Sequence, residues 1–127
     1  MSESFNRHAG LIVLPVELFG PTGSMILRMA LDTGATRSLV NVAVLVNLGY
    51  DPALGPERVQ LTTGSGVEFA PLVPVQRVRA IGRERNGLSI LAHTLPPSAA
   101  IDGLLGLDFF RDQRLEIDFR RGIVVLD

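Results

Sequence analysis

Cysteine is absent from the 127 residues, which removes disulfides, thiolate nucleophiles and zinc–thiolate sites together. Lysine is absent too. All 12 basic residues are arginine, and against 13 acidic ones they leave a formal charge of −1. That balance argues against nucleic acid as the main partner, since no basic excess exists to neutralise phosphates. The arginine bias reads as genome composition, although Arg7, Arg77, Arg79, Arg83 and Arg85 could form a locally positive edge. Histidine is scarce: His8 and His93 lie far apart, with no carboxylate at ligand spacing, and no metal or cofactor is assigned. Apolar runs are too short to span a bilayer. The first residues lack a cationic start followed by an apolar stretch, so no signal peptide is read. The expectation is a chain that stays in the cytoplasm, with no membrane partner.

What is present is an apolar fraction of 46% with 20% charged residues, enough to build one core without staples. Residues 1–127 are read as one domain, with residues 1–10 as a flexible N-terminal extension. Beta signals dominate. Residues 11–19 form a strand interrupted by Pro15, which suggests an edge or a bulge. The turn at 20–23 returns into a strand over 24–31, and residues 37–40 make a short strand. Residues 41–48 read as a helix with Asn41 as N-cap and Gly49 past its C-terminus. Two strands, 59–62 and 67–69, flank the glycine-rich stretch Thr63-Gly64-Ser65-Gly66. A strand over 72–81, a charged turn over 82–87 and a strand over 88–95 follow. Residues 101–110 join a buried strand to a short helix capped by Asp108, and 115–126 make a terminal hairpin. The run at 123–126 is apolar at every position and reads as buried on both faces.

Two stretches carry chemistry. In Leu31-Asp32-Thr33-Gly34-Ala35 a strand delivers a carboxylate onto a turn, where Gly34 permits angles that a side chain resists. Thr33 adds a hydroxyl that can lock the loop, and Ala35 leaves room for a water or a second carboxylate. For the tripeptide alone, a hairpin turn with an Asx-type hydrogen bond is the favoured reading. The hairpin tip at 63–66 is an ordinary turn or a mobile lid; no Gly-x-x-x-x-Gly-Lys pattern supports phosphate binding.

The order of parts resembles the retropepsin-like aspartic proteases, the one-lobe relatives of pepsin. The resemblance rests on Leu31-Asp32-Thr33-Gly34-Ala35-Thr36 and Leu104-Leu105-Gly106-Leu107-Asp108, in order around a glycine-tipped hairpin, and runs from about Leu11 to Leu126. The tail is closer to cellular members, such as the DNA-damage-inducible ubiquitin-shuttle proteins, than to viral ones.

The resemblance implies a mainly β, single-lobe closed barrel with one or two short helices. It also implies an aspartic endopeptidase that is active as a homodimer on extended peptide or protein substrates. One Asp-Thr-Gly per chain then places Asp32 and its symmetry mate across a water. Such a pair shares one proton, the split familiar from paired aspartates in acid proteases. By the same resemblance Thr33, Gly34 and Ala35 support the loop, and Leu104, Leu105 and Gly106 pack behind it. Thr36 and the flap residues Thr63, Gly64, Ser65 and Gly66 meet substrate. The 123–126 segment joins an intersubunit sheet, a partner's strands supplying its cover. Asp102 and Asp108 are not expected to act as a second catalytic acid. Thr36 and Leu107 depart from the viral pattern of an acid and an arginine at those positions, which puts one substrate anchor in doubt. A non-catalytic peptide-binding or dimerisation module is the alternative.

Overall fold

The computed structural model describes residues 1–54, 57–63 and 66–127. Strands take up 49% of the chain, and two short α-helices are described. The framework begins with β2 (Val13–Gly20) and β3 (Gly23–Leu31), an antiparallel pair in register from Val13 opposite Ala30 to Gly20 opposite Gly23. Alternation decides which faces turn inward. Leu14, Val16 and Leu18 of β2 are buried with Leu27 and Met29 of β3, while their neighbours, apart from the small Ala30, stay exposed or half-buried. Each such apolar side chain contributes about 1.5–3 kcal/mol on burial. Pro15 sits inside an unbroken strand. The next strand on that side, β7 (Arg77–Ala80), pairs only with Glu17, Leu18 and Phe19, so the missing N–H falls on an open edge.

After β3 come the short β4 (Leu39–Val40) and α1 (Val42–Asn47). The hairpin of β5 (Glu57–Thr63) and β6 (Gly66–Pro74) follows. Then come β7, β8 (Arg83–Asn86), β9 (Ser89–Ala92), β10 (Gly103–Leu105) and α2 (Leu107–Phe110). One nine-stranded sheet runs β5-β6-β9-β4-β10-β3-β2-β7-β8. It curls into a half-barrel that does not fully close, where a closed barrel was expected. Phe109, Leu45, Leu105 and Ile90 are nearly inaccessible inside the curl. Leu39, Ala70, Leu72 and Leu91 form a second, smaller cluster under the β5–β6 hairpin.

Several local expectations are corrected. The charged stretch at 82–87 is strand rather than turn: β8 pairs with β7 from Arg77 opposite Asn86 to Ala80 opposite Arg83. Its charges belong to an edge strand, where they deter further pairing. The strand expected over 72–81 is divided at Pro74, which ends β6. Arg77 and Arg79 do not make a free basic edge, since both reach Glu84 and Arg79 also pairs with Glu17 at 2.5 Å. Asn41 stands at the helix N-cap, but its side-chain oxygen accepts the Leu95 N–H at 2.8 Å and does not cap α1.

The ends of the chain differ most from expectation. Residues 1–10 are not simply an extension, because β1 (Ser2–Ser4) pairs antiparallel with β12 (Ile123–Leu126). On its other edge β12 pairs with β11 (Leu115–Asp118). Both edges of β12 are thus paired within this chain, one of them by its own N-terminus. Nor is β12 buried on both faces. Val124 and Leu126 are sealed in the core, whereas Ile123 and Val125 are half-buried on the outer face.

Candidate active site

The loop that carries Asp32 joins β3 to β4, two strands consecutive in sequence that β10 holds apart in the sheet. β10 lies between β3, to which it is parallel, and β4, to which it is antiparallel. The chain leaving β3 must therefore cross the end of β10 before entering β4. The Asp32 N–H donates to the Leu105 carbonyl at 2.9 Å, and the Leu107 N–H donates to the Ala35 carbonyl at 2.8 Å. These two bonds tie the loop to the end of β10 and the start of α2, on either side of Gly106. That glycine is required by space: a Cβ would stand 2.7 Å from the Ala35 carbonyl oxygen and 2.8 Å from the Arg37 carbonyl carbon. At Gly103 a Cβ would be driven into the Leu39 carbonyl oxygen.

Asp32 is half-buried, and its Oδ1 accepts the Gly34 N–H at 2.9 Å. Its own carbonyl accepts the Ala35 N–H at 3.2 Å. Gly34 is not at positive φ, so its role differs from the angular freedom read from the sequence. It supplies an N–H, and the absence of a side chain keeps the space beside Oδ1 open. Thr33, Gly34 and Thr36 are exposed around the carboxylate.

Behind the loop lies a clamp that sequence reasoning missed. Ser38 is the one buried polar residue described, at 1% exposure. Its hydroxyl donates to Asp108 Oδ1 at 2.7 Å and accepts the Gly106 N–H at 3.0 Å. The Ser38 N–H donates to Asp108 Oδ2 at 2.9 Å. Asp108 therefore does not cap α2 as expected: Gly106 holds the N-cap position, and Asp108 sits in the first turn reaching across to Ser38. Asp102 is likewise committed, its Oδ2 accepting the Arg28 N–H at 2.8 Å.

Strand alternation parts Leu104 from Leu105. Leu105 faces the core at 0% exposure, whereas Leu104 is half-buried against the smaller cluster rather than packing behind the loop. It lines a cavity of about 440 Å³ with Leu39, Val59, Leu61 and Leu91, and Ala35, Thr36, Arg37 and Gln60 complete the wall. The cavity thus lies between the Asp32 loop and the β5–β6 hairpin. Alternation in Val59-Gln60-Leu61 was the sequence signal for two of these walls; Leu39 and Leu91 carried none. Gly66 begins β6 at positive φ, and the backbone of Thr63 ends β5 opposite it. Gly64 and Ser65, expected at the flap tip, lie outside the described residues. Among the described residues no group of three metal-ligating side chains comes together.

A family profile described as aspartyl protease matches residues 14–109, a span that includes both the Asp32 loop and β10. The chain belongs to the aspartyl protease family. No curated protein matches it. Among solved structures it is similar to a retropepsin-like aspartic protease from Rickettsia conorii, at 19% identity and a TM-score of 0.68, covering 99% of this chain and 88% of that one. The retroviral protease-like domain of Ddi1 from Leishmania major matches with 16% identity and a TM-score of 0.59, covering 94% and 90%. The simian foamy virus protease matches with 19% identity and a TM-score of 0.51, covering 76% and 88%. The half-barrel is a retropepsin-like single-lobe fold.

Proposed function

We propose that this aspartyl protease family member is an active endopeptidase that works as a homodimer. The observation that carries the reading is the placement of Asp32. Its carboxylate is half-buried, oriented by the Gly34 N–H, and mounted on the loop that forms one wall of an apolar cavity. The nearby acids Asp102 and Asp108 are bonded to backbone groups of this chain, so the second carboxylate is Asp32 of the partner subunit. One ionised aspartate takes a proton from a water between them, and the water attacks the peptide carbonyl. The protonated aspartate donates to the developing oxyanion. Thr33 meets the partner beneath the pair, and exposed Gly34 and Thr36 offer backbone to an extended substrate. The β5–β6 hairpin closes over that substrate as a flap.

The test is a peptide-library digest at several pH values, with Asp32→Asn as control and the protein diluted over a wide range. Cleavage that vanishes in Asp32→Asn and loses specific activity on dilution supports the reading. Cleavage that persists in Asp32→Asn overturns it. Peptide binding without cleavage by the parent protein would favour a non-catalytic peptide-binding module of the same fold.

A further inference from the structure

The apolar cavity beside the Asp32 loop has a charge at its wall. Arg37 is exposed and is the one charged residue among those described as lining it. Other arginines are engaged: Arg79 with Glu17 and Glu84, Arg121 with Asp118, and Arg85 with the Phe109 carbonyl. Arg37 has no ion pair among the described residues. Glu68 stands directly across the hairpin from Leu61. It lies 3.9 Å from His93, which follows β9, so it is turned to a partner of its own. Neither of the charges on this arm of the hairpin, Glu57 and Arg58, is among the residues that line the cavity. The wall is therefore aliphatic on Leu39, Leu61, Leu91 and Leu104, with a single guanidinium where the Asp32 loop leaves it.

We infer that this site selects peptides in which a large apolar side chain stands close to an acidic one, the first filling the cavity and the second meeting Arg37. The inference rests on reading the site as peptide-binding. The volume lies within the range of small-ligand pockets. Because Arg37 is exposed, its contribution is that of a solvated ion pair, a preference of roughly two- to five-fold that salt reduces.

The experiment uses matched synthetic decapeptides with one central Phe in an Ala/Ser/Gly sequence, carrying Glu, Gln or Lys two residues to either side. Relative kcat/KM is measured for the parent protein, Arg37→Gln and Arg37→Glu, at low and high salt. Ratios within one protein cancel any difference in its active fraction. The parent should prefer Glu to Lys two- to five-fold, Arg37→Gln should lose that preference, and Arg37→Glu should invert it. The same ranking in all three proteins overturns the inference. If the parent cleaves none of the peptides, fluorescent versions are titrated into Asp32→Asn and its two Arg37 double variants. A Glu preference there that Arg37→Glu inverts sustains the charge selection while the protease reading fails. Equal affinity for all peptides, or no binding, overturns it.

Discussion

Ser38 and Asp108 are 70 positions apart and hold each other by two hydrogen bonds, hydroxyl to Oδ1 at 2.7 Å and backbone N–H to Oδ2 at 2.9 Å. Through Gly106, whose N–H the same hydroxyl accepts, the pair fixes the far end of the loop that begins at Asp32. Ser38→Ala removes a donor from Asp108 and leaves the buried Gly106 N–H without its acceptor. The expected loss is about 1–3 kcal/mol of stability, the cost of an unsatisfied buried polar group. Denaturant unfolding reads it; a midpoint equal to that of the parent would show that the clamp is dispensable.

A second consequence concerns Gly103, which begins β10, and Gly106, which follows its end. Gly106→Ala brings a Cβ against the backbone of Ala35 and Arg37, which can yield only by moving the loop. A displacement of about 1 Å at reacting groups can cost on the order of 100-fold in rate. Peptide cleavage should therefore fall much further than thermal stability does. Gly103→Ala meets the Leu39 carbonyl even more closely, between paired strands, and should impair folding first. Equal activity of folded Gly106→Ala and the parent would refute the crossing geometry as the reason for glycine.

The general plan was legible in the sequence because alternation and apolar–Asp-Thr-Gly and apolar–apolar–Gly motifs report local structure directly. Val13–Gly20 and Gly23–Leu31 write their buried faces in every second residue. The misreadings lie where a partner distant in sequence decides. Arg83–Asn86 has a turn's composition, yet pairing with Arg77–Ala80 makes it a strand. Asn41 has the chemistry of a cap, but the Leu95 N–H claims its oxygen. Ser2–Ser4 has no apolar pattern, so only the open edge of Ile123–Leu126 gives it a place. Ser38 could not be singled out, because nothing in a local window reveals that Asp108 will face it.

Acid should weaken the terminal hairpin through Asp118. Its carboxyl is held below the ordinary aspartate range, chiefly by the backbone N–H of Arg121, with that residue's guanidinium also contributing. A carboxylate whose folded pKa is depressed adds stability above its unfolded value, near 3.8. That contribution disappears as pH falls through the lower folded value. Asp118→Asn should therefore flatten the acid limb of the stability–pH profile while changing little near neutrality beyond a constant offset. Thermal melts across the acid range check this; an unchanged acid limb would mean that Asp118 is not linked to folding.

The two faces of Ile123–Leu126 predict opposite outcomes for neighbouring substitutions. Val124 is at 0% exposure within the main core, directly across from Ile117 and Glu3. Val125 is half-buried on the other face, between Glu116 and Ser2. Val124→Asp places a carboxylate where no described side chain offers a cation, at a cost of several kcal/mol, enough to unfold a domain of ordinary stability. Val125→Asp puts the same group beside Glu116, where the like-charge penalty is partly solvated and remains within about 1 kcal/mol. Circular dichroism melts should show loss of the cooperative transition for Val124→Asp and a small shift for Val125→Asp. If Val125→Asp unfolds as completely as Val124→Asp, then β12 is buried on both sides, and strands from a second chain must cover the face that this chain leaves open.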